Sequence, residues 1–111
     1  MLIYKICGAD EWREAEQLGL YAGSADDARD GFIHFSTHEQ LRGTLDKHFA
    51  GRKDLVLIAV DDEGLGEVLK WESSRGVALF PHLYSALNIA AVCWVKSLPL
   101  GDNGTHDIPE I

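Results

Sequence analysis

Two histidines in this chain sit where imidazoles are unusual, inside short apolar runs flanked by aromatic and hydroxyl residues. The first is His34, in Gly31-Phe-Ile-His-Phe-Ser-Thr37. Strand alternation places Phe32, His34 and Ser36 on one face, and Ile33, Phe35 and Thr37 on the other. A strand rich in Phe and Ile faces a core, so its imidazole needs a partner or a cleft. Thr37 and Gln40 then carry capping-box spacing, which gathers free backbone N–H groups just past the histidine. The second is His82, in Phe80-Pro-His-Leu-Tyr84, where an extended backbone puts His82 and Tyr84 on one side. Two such rings point to one shared ligand pocket.

Other side chains extend the candidate set. Glu72 follows Trp71 at an expected strand end, where an indole neighbour would raise its pKa and suit it to acid–base work. Ser73-Ser-Arg-Gly76 offers hydroxyls, a backbone N–H and the Arg75 guanidinium to an anion, without the full phosphate-loop pattern. His34 and Glu72 are therefore candidate catalytic groups, and Ser36, Arg75, His82 and Tyr84 candidate ligand contacts. His38, His48 and His106 are weaker candidates. No metal is expected: His34 and His38 are four apart, but a strand-to-helix junction separates them, so they do not share a helix face. Cys7 and Cys93 form no C-x-x-C pair and are expected as reduced thiols used as small core residues, which fits the cytoplasm.

The elements that must position these groups follow from the apolar pattern. Residues 2–7 form a strand. Asp10 opens a helix with Trp12, Ala15 and Leu18 on one face, and Gly19 ends it. Residues 21–31 form a polar loop, in which Asp26, Asp27 and Asp30 are solvated. After the His34 strand, Leu41, Leu45 and Phe49 mark a second helix with Gly51 as its cap. Residues 55–60 are apolar throughout, as in a central strand covered on both faces. Residues 61–64 turn, 68–72 form a strand, and 77–80 form another that Pro81 interrupts. Residues 89–95 are the last strand, and 101–111 a polar, loosely held tail. Strand, helix, strand, helix and then a run of strands is an α+β order, with residues 1–100 as a single domain.

Bulk properties narrow the partners. A length of 111 residues supports one hydrophobic core. A net charge of -8 opposes an extended nucleic-acid surface or an anionic membrane, both of which reward clustered Lys and Arg. No apolar run approaches a bilayer span, and no signal peptide is evident. A local cationic pocket for a small-molecule ligand is compatible with that charge.

Ile3-Tyr-Lys-Ile6, Asp30-Gly-Phe-Ile-His-Phe-Ser-Thr37, Leu69-Lys-Trp-Glu72 and Phe80-Pro-His-Leu-Tyr84 together resemble the small bacterial family called domain of unknown function 952. That resemblance covers the chain to about Leu100. It implies a compact ADP-ribosyltransferase-like split β-sandwich with two helices and a cleft for NAD or an ADP-ribose-like ligand. NAD would then be a substrate, and ADP-ribosyl transfer the candidate chemistry. Within that fold the chain is similar to NAD-dependent RNA 2′-phosphotransferases, through Ile33-His34, the aliphatic strand ending at Asp61, and Ser73-Ser-Arg-Gly-Val77. The likeness implies His34 at the nicotinamide end, with Lys5 or Arg75 bringing positive charge to a pyrophosphate. A pocket that is neutral or positive through Lys5, Arg29 and Arg75 is expected. Tyr4-Lys-Ile6 replaces the phosphotransferases' His-Gly-Thr, and Val77 falls near the position of the transferases' glutamate. RNA 2′-phosphate removal is accordingly not expected. The alternative is a non-catalytic module that kept the fold to bind a metabolite or a protein.

Overall fold

The computed structural model describes every residue except 74, 75 and 77. β1 (Leu2–Gly8) and β8 (Val92–Leu98) flank β4 (Leu55–Asp61) in a three-stranded antiparallel sheet. β4 is apolar along its length because both faces are covered. Leu57 and Ala59 pack with Leu41 and Leu45 of α3 (Leu41–His48). Ile58 and Val60 pack with Trp12 and Ala15 of α1 (Ala9–Leu18), with Ile33 and Leu83 of a second sheet, and with Phe35 just beyond it. Each fully buried leucine contributes about 1.5–3 kcal/mol.

The second sheet has the order β3-β6-β5, from β3 (Ile33–His34), β6 (Leu79–Leu83) and β5 (Leu69–Ser73). A two-stranded ribbon joins β2 (Leu20–Tyr21) to β7 (Leu87–Asn88). The two larger sheets meet where Tyr4 and Ser36 exchange backbone hydrogen bonds, each 2.8 Å. They diverge from that point, and the chain is a mixed α/β domain of small antiparallel sheets with few helices.

Several expectations change. Pro81 does not interrupt β6, although β6 lies in the middle of its sheet. The Pro81 carbonyl accepts from Phe35 N at the end of the short β3 pairing, so the missing N–H faces that same side and costs only the reciprocal bond to the Phe35 carbonyl, leaving the β5 side untouched. Residues 89–91 are a 3-10 turn, and the last strand starts at Val92. That strand leaves Cys93 exposed, so only Cys7 is a core thiol, and burial pushes its pKa up to about 12. Leu18 is exposed, and α1 starts at Ala9 with Gly8, not Asp10, at its cap. α3 ends against Phe49 rather than Gly51. The tail is tied down: His106 is buried, its Nε2 lies 2.7 Å from the Arg52 carbonyl, and its own carbonyl accepts from Arg42.

The largest change is a third helix. α2 (Ala25–Asp30) occupies the expected polar loop, so the domain has three α-helices among the described residues rather than two. Ser24 and Asp27 form a reciprocal capping box: Asp27 N donates to Ser24 Oγ and Ser24 N to Asp27 Oδ2, at 3.2 and 2.9 Å. Gly23, just before it, has φ +107, and a Cβ there would lie 2.8 Å from Asp27 Cβ. Gly23→Ala is expected to lower the unfolding free energy by about 1–2 kcal/mol from backbone strain alone. A urea melt checks this, and an unchanged midpoint would contradict it.

Candidate functional site

The divergence of the two sheets opens a cavity of about 220 Å³. Tyr4, Lys5 and Ile6 of β1 wall one side, and His34, Phe35, Ser36, Phe80 and His82 the other. α2 closes one end with Asp26, Asp27, Arg29 and Asp30, while Thr44, His48 and Phe49 close another. Register explains why the two histidines meet: His34 on β3 is paired directly with His82 on β6. Directly opposed strand residues have neighbouring side chains, and the two ring centroids lie 5.6 Å apart. Phe32 holds both, stacked on His82 at 4.0 Å and tilted against His34 at 4.6 Å. The shared pocket expected for His34 and His82 is therefore present, with Ser36 in its wall.

Each imidazole is oriented through Nδ1 by a carboxylate. Asp27 Oδ1 lies 2.5 Å from His34 Nδ1 and also accepts the His34 backbone N–H. Asp27 Oδ2 accepts from Lys5 Nζ at 2.7 Å and from Ser24 N. Burial is the largest single influence on the Asp27 carboxyl and pushes its pKa up. The hydrogen bond with His34 and the charge and hydrogen bond of Lys5 together overcome it, leaving the pKa well below the usual carboxylate range. An ionised carboxylate only accepts, so His34 Nδ1 carries hydrogen. His34 Nε2 lies 3.0 Å from Asp30 Oδ2, giving that ring a carboxylate at both nitrogens.

His82 is organised differently. Its Nδ1 lies 2.9 Å from Glu72 Oε1, which also accepts from Tyr84 OH at 2.7 Å. Glu72 pairs with Phe80 in the ladder, so it reaches His82 diagonally across the strands. Among the described residues, His82 Nε2 has no hydrogen-bond partner.

Four sequence expectations need correction. Glu72 is not a carboxyl with a raised pKa. The hydrogen bonds from Tyr84 and His82 hold it below its ordinary value, and Trp71 is not among the causes. Neither Glu72 nor Tyr84 lines the cavity, so both act on it through His82. Lys5 does line it, but the lysine is buried and its charge is neutralised by Asp27. An excess of positive charge is also absent: Asp26, Asp27 and Asp30 face Lys5, Arg29 and a His34 ring that has a carboxylate at each nitrogen. Arg29 is itself paired with Asp26 and Asp30. Arg75 lies outside the described residues.

Asp27 is the residue sequence reasoning missed. Its signal was the Ser24-x-x-Asp27 spacing, with Gly31 six positions after Ala25 as the helix stop. Among the described residues, no group of three or more metal-ligating side chains comes together, and no helix is long and apolar enough to cross a membrane.

None of the curated proteins matches the chain. Two crystal structures of protein CC0527 from Caulobacter crescentus, one of them a double mutant, superpose with TM-scores of 0.93 and 0.92. Each is 48% identical, with 96% of this chain and 94% of that chain covered. The solution NMR structure of CC0527 is 50% identical, covers 94% and 90% respectively, and gives a TM-score of 0.85. The family model described as protein of unknown function DUF952 matches residues 6–95, and the chain belongs to that family.

Proposed function

We propose that the cleft binds the ribosyl end of NAD or an ADP-ribose-like ligand, in an ADP-ribosyltransferase-like split sandwich. The two sheets, bridged at Tyr4–Ser36, support the fold part of this reading. The observation that carries the ligand part is the charge of the wall. Asp26 and Asp30 accept hydrogen bonds, as ribose hydroxyls require, and they complement a cationic nicotinamide ring rather than a pyrophosphate. A cavity of about 220 Å³ suits one ring and a sugar, with the phosphates outside. No separate metal cofactor enters this reading, and a reducing cytoplasm accommodates the two free thiols.

A binding module is favoured over ADP-ribosyl transfer by a specific observation. Among the described residues, no glutamate lines the cavity, and Glu72 is held ionised by Tyr84 and His82. Chemical-shift mapping with NAD+, NADH and ADP-ribose tests the reading. NAD+ and ADP-ribose are expected to shift the amides of His34, Ser36 and His82, with NAD+ stronger than NADH because only its ring is charged. Absence of shifts at these positions with all three ligands at millimolar concentration would overturn it. Long RNA is expected to bind poorly at physiological salt, in line with the net charge of -8.

A further inference from the structure

We infer that His34 and His82 form an acid–base pair that opens and recloses the hemiacetal of an unphosphorylated ribose-like aldose. The inference rests on the ribosyl reading of the cleft and adds an activity to it. Its foundation is the unequal environment of two imidazoles that share one cavity. His34 has a carboxylate at each ring nitrogen, Asp27 at 2.5 Å and Asp30 at 3.0 Å, which makes it the donor. His82 donates through Nδ1 to Glu72, and its Nε2 has no partner among the described residues, which makes it the acceptor. Two imidazoles held with different hydrogen-bond partners over one cavity can divide the acid and base roles.

The wall selects the substrate class. Lys5 is already paired with Asp27 and Arg29 with Asp26 and Asp30, so no cation of the wall is left to hold a phosphate or carboxylate substrate. Asp26 and Asp30 accept from hydroxyls, Ser36 can donate to one, and Phe80 offers an apolar face to sugar C–H groups. A neutral, hydroxyl-rich ring meets all of these.

The step balances without a cofactor. His82 Nε2 takes the proton of the anomeric hydroxyl while His34 Nε2–H gives one to the ring oxygen. The bond from C1 to the ring oxygen breaks, and C1=O forms from the anomeric oxygen. Rotation about C1–C2 and the reverse transfers close the other anomer, so no proton is gained or lost overall. Anomeric and ring oxygens share one carbon, and rings 5.6 Å apart can reach both. Asp30, exposed enough to move, yields His34 Nε2 to the ring oxygen.

NMR magnetisation exchange between the anomers of D-ribose tests this, read together with amide shifts of the cleft. Wild type is expected to shift the cleft amides and to raise the interconversion rate at least tenfold over buffer. His34→Gln and His82→Gln should each abolish the increase. Because His82 is buried and its variant risks misfolding, Glu72→Gln is the second measure. Glu72 is a positioning residue on an exposed strand, and its loss should reduce the increase several-fold while leaving ribose shifts at His34 in place. Binding without acceleration, or acceleration that survives both histidine variants, overturns the acid–base pair and leaves the cleft reading intact. Absence of shifts with D-ribose, NAD+ and ADP-ribose alike overturns both.

Discussion

Asp27→Ala is expected to lower the unfolding free energy by about 3–5 kcal/mol, because it leaves Lys5 charged, buried and alone. The Asp27 and Lys5 side chains are 1% and 5% exposed, so water cannot replace the lost partner. The same substitution removes the acceptor of the His34 ring and backbone N–H, and one half of the α2 capping box. Most of the loss should come from the stranded charge, and a second variant isolates it. Lys5→Met combined with Asp27→Leu removes both charges and should recover a large part of the stability, since paired buried ions rarely exceed a packed apolar pair in net contribution. Urea melts of the wild type and the two variants decide the matter. A loss under about 1 kcal/mol for Asp27→Ala, or no recovery in the double variant, would show that the Lys5–Asp27 contact does not organise the cleft.

The scaffold of the domain was legible wherever burial dictates residue type over several positions. β4 was evident because both its faces are covered, and α3 because Leu41 and Leu45 recur at helical spacing on one covered face. Short elements were not. α2 is six residues long, and Asp27 is its only buried side chain, so it has no apolar stripe. Its evidence lies in caps alone, and three acidic residues in such a segment resemble a solvated loop. Pro81 misled for a related reason: whether its missing N–H matters depends on where the neighbouring ladder stops, which is a property of the sheet. Cys93 read as core because its neighbours are apolar, yet β8 is an edge strand and leaves it exposed.

The site was legible as a pair of rings but not as an electrostatic unit. His34 and His82 stood out because polar rings are unusual in apolar strands, and direct cross-strand register then brought them together. The sign of the pocket was not readable. Lys5 alternates with Ile3 and Cys7 on the core face of β1, and a lysine there requires a buried acid. Which acid is a tertiary fact: Asp27 lies 22 positions away, on a helix not evident in the pattern. For Glu72, strand position and an indole neighbour suggested a raised pKa, whereas two hydrogen bonds to its ionised form lower it.

Acid should unfold this domain, with Asp27 as the principal titrating group. In the folded chain its carboxyl is held well below the value of about 3.9 that it takes when unfolded. As pH falls, the unfolded chain therefore binds the proton first, and the folded state loses relative stability. The contribution is complete above about pH 5 and declines from about pH 4 downward, by up to about 1.4 kcal/mol per pH unit for this one group. Glu72, Asp30 and Asp61 are lowered in the same direction by hydrogen-bond partners at the surface, and they add a weaker slope over the same range. Urea midpoints between pH 2.5 and 6 measure the total. Asp27→Asn separates the buried term, because an amide does not titrate and should flatten the curve below pH 4. A wild-type midpoint that stays constant down to pH 2.5, or an equal slope in Asp27→Asn, would mean that the buried carboxylate does not carry the acid response. The Lys5–Asp27–His34 contact would then be a weaker organiser of the cleft than its distances imply.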